Sequence, residues 1–531
     1  MTVRERHGLT EKSLNSVLQN TAQPYRLIYA DVQSPDWLRT RLASYSKQWG
    51  FEVVRFDEHL WPQQVRNKLI GSIDTDYVVY IDNDVAVEPG WLTYLISCAD
   101  ETGAGVVGPL YLWGDGKTKP KIHMAGGKLT RANVEGGIVL SQEHYLLNAD
   151  PEEVSDELVR KPCDFAEYHC MLIRTELIRD GALLDENIYC VHEHIDTALS
   201  SGQRGYTVYM EPSARVHYLA FTEYMLDDLP IFRARWSIVD GEASIGAFAR
   251  KWNVVNDARS FGNTKNFLHK HIGGVDPIRG YASMDLNRNI PMRCEELKQT
   301  RSGLLDLAIE RGYSEEETKL LASVYRTAHR LMDGGYRPCG RPFINHLVGT
   351  ASVLLRYGFR IETVAAGMLH AAYSHCPAHA AGPKAAIKAV CAALGGEGSP
   401  LEKRVRAYTQ RASSWKNFLD QPDPFSRLTV LDAEIIAIEA ANEIEMHLSG
   451  EIRYSGRAGA INPQMVQWIF HVCQKLGVIG LYETLVAVEQ KRAVQPELMT
   501  GLRSSYRIAQ GGANLIRMPG NGRNVLAEMP K

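Results

Sequence analysis

Between residues 25 and 92, short apolar runs alternate with amphipathic stretches: YRLIYAD, DWLRTRLASYSKQWG, FEVVRFD, PQQVRNKLIGS and DYVVYIDND. The apolar runs are rich in Val, Ile and Tyr and read as strands, whereas the stretches between them carry apolar residues at helical spacing. Strand, helix, strand, helix, strand at this spacing implies a parallel α/β sheet with right-handed crossovers. The third run ends in Asp82-Asn83-Asp84, followed by a Pro-Gly turn and Trp91-Leu92. Ligands of such sheets bind at the carboxyl ends of the strands, where these acids must lie. Burying a carboxylate there without a partner costs several kcal/mol, so a positive charge is expected beside the pair. Two carboxylates one residue apart suit a hard divalent cation, Mg2+ or Mn2+, shared with the phosphates of a nucleotide. An isolated pair of this kind also serves as a turn or cap, with Asp84 satisfying loop amides.

A chain of 531 residues exceeds one ordinary core and predicts two or three domains. Hydrophobic residues at 45% and charged residues at 23% describe a soluble globular protein, and the net charge of -3 gives no general attraction for nucleic acid or anionic membrane. The first residues, MTVRERHGLTEKSLNS, lack a signal-peptide core, and no window holds about 18 uninterrupted apolar residues, so a cytoplasmic location without a transmembrane segment is expected. Nine cysteines, at 98, 163, 170, 190, 294, 339, 376, 391 and 473, form no C-x-x-C pair, which fits reduced thiols and argues against zinc-ribbon chemistry. The α/β pattern predicts a first domain over residues 1–260. Gly273-Gly274, Pro277, Gly280 and Pro291 predict an irregular linker or wrapping segment over 261–300. From 301 to 531 the apolar spacing is helical throughout, and no fixed-period repeat is found.

The order VRNKLIGSIDTDYVVYIDNDVAVEPGWL, KIHMAGG, CDFAEYHCMLIRTELIRDGALLDENI and HEHIDTALSSGQRGYTVYMEPSARVHY resembles the family-two glycosyltransferases of the GT-A fold, a Rossmann-like nucleotide-diphospho-sugar transferase architecture. Four ordered blocks make this a far more specific signal than one D-x-D. The resemblance implies that Asp84 binds the metal directly, and that Asp82 holds the nucleotide ribose or reaches the metal through water. His217 would join the metal or the diphosphate. Asp31, Asp57, Arg66 and Asn83 fall at positions implied to face the nucleotide sugar, although Asp57 also reads as a strand-end turn. A guanidinium such as Arg66 suits phosphate geometrically. Where the family carries an E-D pair, this chain has Glu193-His194, so the general base is Glu193 or His194, with Glu193 preferred. Asp196, one turn further along, is placed to orient the site or to cap structure. The segment DLPIFRARWSIVDGEASIGAFARKWN is similar to the family's post-catalytic lid, which implies that Arg233, Arg235 and Trp236 close over the diphosphate. The bland reading of the same segment is an amphipathic helix packed on the sheet.

In the second half, HRLMDGGYRPCGRPFINHLVGTASVLLRYGFRIETVAAGMLHAAY resembles the all-α HD-domain superfamily, with His329, His346 and His370 at three of its histidine positions. Ala371 stands where the His-Asp dyad needs its aspartate, which speaks against a metal-dependent phosphohydrolase. Asp432, Glu434 and Asn442 are the candidates for a last ligand there, although each reads more readily as a helix-surface group. The sequence thus predicts a glycosyltransferase that uses a nucleotide-sugar donor, UDP-linked by preference, with Mn2+ or Mg2+ and with inversion at the anomeric carbon. Its acceptor is open among glycan, lipid, peptide and small metabolite, and a homo-oligomer is possible. The alternatives are an HD-type nucleotide phosphohydrolase with a sensory first domain, and a non-catalytic scaffold.

Overall fold

A computed structural model describes residues 1–494 apart from 23, 115–118, 221, 281–285, 338, 376–382, 413–424 and 455–460, so Cys376 lies outside the described residues. The chain divides into two compact units, Met1–Val275 and Asp276–Lys531. In the first, the strands β1 (Ile28–Val32), β2 (Glu52–Phe56) and β3 (Tyr77–Ile81) alternate with the helices α1 (Thr10–Asn20), α2 (Asp36–Trp49) and α3 (Pro62–Leu69). A left-handed Gly50, with φ of 73°, caps α2 and turns the chain into β2. Next come β4 (Val85–Val87), α4 (Trp91–Thr102), β5 (Val106–Trp113), β6 (Lys121–Met124), the hairpin β7 (Gly127–Val134) and β8 (Gly137–His144), β9 (Lys161–Cys163) and β10 (Cys170–Arg174). The unit closes with α5 (Glu193–Gln203), β11 (Val208–Tyr218), α6 (Leu229–Arg235), α7 (Ile238–Trp252) and α8 (Ala258–Val275).

The main sheet has the order β3-β10-β5-β11-β4. It is mixed and not wholly parallel as the local pattern predicts: β10 runs antiparallel to β3 and β5, and β4 antiparallel to β11. Local periodicity identifies strands but not their partners, and β10 and β4 are inserted by contacts distant in sequence. β1 and β2 pair in parallel as a separate ladder. Thr2 joins the two ladders, bridging Ala30 on one side and Asp82 on the other in parallel sense. Its N–H donates to the Ile81 carbonyl and its own carbonyl accepts from Asn83 N–H, while Ala30 N–H donates to the Met1 carbonyl. The extreme N-terminal stretch therefore fills the seam beside β3.

The irregular segment predicted from residue 261 begins later, because α8 continues through Gly262, Gly273 and Gly274 to Val275. Burial of Phe261 and Leu268 and a close fit of Gly241 of α7 under Leu268 hold this helix against its neighbour. The second unit is largely helical, as the spacing predicts, and its core is formed around the helices Phe343–Arg356, Ile361–Leu369 and Val430–Leu448. Among the described residues no helix is long and apolar enough to cross a membrane.

His192 sits immediately before α5 with φ of 65°, and burial pushes its imidazole down to about 3. The unfolded chain takes up that proton near pH 6.5, so between pH 6.5 and about 3 the unfolded state binds more protons and stability falls with falling pH. His192→Asn keeps a residue tolerant of left-handed backbone but removes the titration. It should flatten the loss of melting temperature between pH 6.5 and 4; an unchanged slope in thermal melts would discard this assignment.

Candidate functional site

β3 delivers Asp82, Asn83 and Asp84 into a tight connection to β4, and all three are buried at 1% exposure or less. Arg4 from the N-terminal stretch donates through Nη1 to Asp82 Oδ2 at 2.9 Å. Arg66 of α3 approaches Asp82 Oδ1 at 3.7 Å while its guanidinium lies over the Tyr168 ring, 3.5 Å from the centroid. Burial pushes the Asp82 carboxyl up, against the opposing pull of Arg4 and Arg66. The expectation that a metal ion and not a side chain neutralises the pair is thereby corrected for Asp82. The required charge comes from an arginine 78 residues away in sequence.

Asp84 differs. Neither of its buried carboxylate oxygens has a hydrogen-bond partner, and burial together with the nearby Asp82 charge pushes its carboxyl up to about 8. An unpartnered carboxylate of this kind fits a cation ligand. The side chains that could hold one with it are Asp82 and His169, whose ligand atoms lie within 4.8 Å of one another. His169 directly precedes β10, its Nδ1 is 3.6 Å from Asp82 Oδ2, and its ring stacks on Tyr218 at 4.1 Å. His217, predicted as the metal histidine, is not in this group. It points away from Tyr218 along the alternating strand β11, and its Nε2 pairs with Glu88 Oε1 at 2.6 Å.

Asn83 clamps the N-terminal stretch: its Oδ1 accepts Arg4 N–H and its Nδ2 donates to the Arg6 carbonyl and Thr10 Oγ1. Asp31 accepts from Arg55 and from Ser34 N–H, and the exposed Asp57 also pairs with Arg55. Glu193 opens α5 with Arg235 Nη2 at 3.7 Å, and its Oε2 has no partner. Burial works to raise its carboxyl, yet Arg235 and Arg4 hold it below the ordinary range, which keeps it a carboxylate. Burial lowers the His194 imidazole, so His194 is neutral. Asp196 is bound to Lys251 Nζ and Trp252 Nε1, pinning α5 to α7, and thus serves structure. Arg233 is buried on α6. Trp236 donates Nε1 to Glu5 Oε2 at 2.7 Å, which locks the predicted lid residue to the N-terminal stretch.

Residues 4–6 are what sequence reasoning missed. Arg4 meets Asp82, Glu5 gathers Tyr224 and Trp236, and Arg6 donates to the carbonyls of Leu219, Ala220 and Thr222. Alternating charges in MTVRERHG read as a solvated terminus; the one available signal was a short apolar start followed by the Thr10 helix. A cavity of about 440 Å³ runs along β1 and β3, lined by Ile28, Ala30, Tyr77, Val79 and Trp91, and among the predicted site residues it reaches only Arg66.

In the helical unit His346 and His370 come together, with ring centroids 5.3 Å apart, whereas His329 is exposed beside Tyr325. His346 Nδ1 meets Glu445 Oε2 at 2.5 Å and His370 Nδ1 the Gly367 carbonyl at 2.7 Å. Arg341 pairs with both Glu445 and Glu451, and Arg337 with Glu451. The carboxylates beside the histidines are therefore already compensated. Asp432 caps its own helix at Thr429 N–H, and Glu434 is buried with Arg360 and Arg404.

Removing Arg4 leaves Asp82 a buried carboxylate with only the longer Arg66 and His169 contacts. Breaking a buried pair from one side costs about 3–5 kcal/mol. Arg4→Met should therefore be strongly destabilised in denaturant unfolding, and adding Asp82→Asn should recover most of the loss. A single variant as stable as the parent would remove the pair from its structural role.

Residues 1–180 match the family model described as Glycosyl transferase family 2. No curated protein sequence matches the chain. Among solved structures, the crystal structure of GalNAc-T7 with UDP, GalNAc and Mn2+ is 14% identical with a TM-score of 0.34, covering 52% of this chain and 59% of that one. The crystal structure of S. aureus TarS is 14% identical with a TM-score of 0.29, covering 68% of this chain and 53% of that one. The chain thus spans somewhat more than half the length of these two proteins. Residues 1–180, which lie within the mixed α/β unit, are thus similar to glycosyl transferase family 2.

Proposed function

We propose that the N-terminal unit transfers a sugar from a nucleotide-sugar donor, UDP-linked by preference, to a nucleophilic acceptor with inversion. The observation that carries this reading is the pair of unpartnered, buried oxygens of Asp84 at the carboxyl end of β3 in a family-two domain. Asp84, with Asp82 beside it, would hold a divalent cation, Mn2+ or Mg2+. Such a cation neutralises charge on the donor diphosphate as the nucleotide leaves. Arg4 and Arg66 add fixed positive charge at the same strand end, suited to an anionic diphosphate. Glu193, held ionised by Arg235 and Arg4, is the base. It takes the proton of the acceptor hydroxyl while that oxygen bonds to the anomeric carbon and the bond from that carbon to the phosphate oxygen breaks.

The non-catalytic reading has one observation in its favour, the occupation of Asp82 by Arg4. Calorimetric titration of the full chain with UDP and UDP sugars, with and without Mn2+, separates the two. Cation-dependent binding that disappears in Asp84→Asn supports the transferase. Absence of binding both in the parent and in Arg4→Met supports the scaffold. Given donor turnover, Glu193→Gln should lower it by about 10²–10⁴ with donor affinity unchanged. Equal turnover would move the base elsewhere.

A further inference from the structure

Beside the Asp82 pair, three imidazoles converge on one carboxylate. His123 of β6 places Nε2 2.9 Å from Glu167 Oε2, His169 places Nε2 3.6 Å from the same oxygen, and His144 at the end of β8 places Nε2 3.5 Å from Oε1. Among the described residues, these histidines are the ion-pair partners of Glu167, and no arginine or lysine joins them. His123, Glu167 and His169 are each exposed by 9% or less. The Tyr111 hydroxyl fixes the Glu167 backbone, donating to its carbonyl and accepting its N–H. Trp113, Tyr218 and Phe165 form the aromatic wall.

We propose that His123, Glu167 and His169 form a second divalent-cation site, of zinc-like character, with His144 as its fourth ligand or as the donor that orients Glu167. Ligands bound to zinc at roughly 2.0–2.1 Å in a tetrahedron stand about 3.3 Å from one another, and the three distances bracket that value. Two nitrogen ligands and one carboxylate are a borderline-soft set, which favours Zn2+, Co2+ or Ni2+ over Mg2+. The site is distinct from the aspartate pair in its chemistry, although His169 touches both. With Nε2 toward Glu167, its Nδ1 lies 3.6 Å from Asp82 Oδ2, on the side from which a carboxylate could orient a metal-bound imidazole. The alternative arrangement, three neutral imidazoles donating N–H to one carboxylate, leaves a buried negative charge with no cation, a costly state.

The test uses the full chain, stripped with chelator and reloaded with Zn2+ or Co2+ alone, without any sugar donor, so its outcome is independent of transferase activity. Elemental analysis should find one tightly held equivalent, and Co2+ should give the intense visible absorption of a four-coordinate site. His123→Ala and Glu167→Gln should lose that equivalent, while Asp84→Asn keeps it. His144→Ala, at the more exposed edge, should weaken zinc binding about 10–100-fold without disturbing the fold. No retained metal in the parent, or loss only in Asp84→Asn, would overturn the site. If the core variants fail to fold, the cobalt spectrum of Asp84→Asn beside that of the parent decides the matter: an unchanged spectrum supports the site and a lost one overturns it.

Discussion

Two carboxylates one residue apart, driven below the surface at the end of a hydrophobic strand, are the constraint around which the first unit is organised. Hydrophobic burial of β3 and β4 carries Asp82 and Asp84 inward regardless of their charge, since Ile81 and Val85 on either side are core residues. The structure compensates one carboxylate and not the other. Arg4 and Arg66 converge on Asp82, so the N-terminal stretch must lie in the seam beside β3, and Asn83 clamps it there. Asp84 is left without a hydrogen-bond partner. The partnered member is thereby fixed in place by the N-terminal stretch, and the other is not.

The same N-terminal stretch connects that seam to the opposite flank of the site. Glu5 accepts from Tyr224 and Trp236, and Arg6 lies 3.9 Å from the Tyr224 ring centroid while binding three backbone carbonyls after β11. α6, which supplies Arg235 to Glu193, is therefore tied to the residues that supply Arg4 to Asp82. Charge placed at one acid and charge placed at the other share one short segment. A shift of residues 4–6 would be felt at both, which couples Asp82 and Glu193 through covalent connectivity and not through a long chain of contacts.

The helical unit solves the same problem differently. Glu445 and Glu451 are fully buried, and Arg341 bridges them. Gly349 permits the approach, since a Cβ there would fall 2.5 Å from Glu445 Cγ. His346 adds a hydrogen bond, and with Arg341 it holds the Glu445 carboxyl down at about 2 despite burial. Here Glu445 and Glu451 are met by the protein's own cations, in contrast to Asp84.

The sequence by itself determined the α/β order of the first part, the helical character of the second, the strand end that carries Asp82 and Asp84, and the helix start that carries Glu193. All of these follow from local periodicity or from motif spacing within a few residues. Only the tertiary structure decided that Arg4 supplies Asp82's counter-charge, that His169 and not His217 faces the acids, and that Asp196 and Trp236 are tied into the scaffold. Strand alternation alone would have turned His217 away from the side Tyr218 faces, but which side holds the site depends on β5 and β10, which are remote in sequence. The physical reason is common to these cases: burial and ion pairing act between groups that meet through chain crossings, and one-dimensional spacing carries no record of which groups will meet.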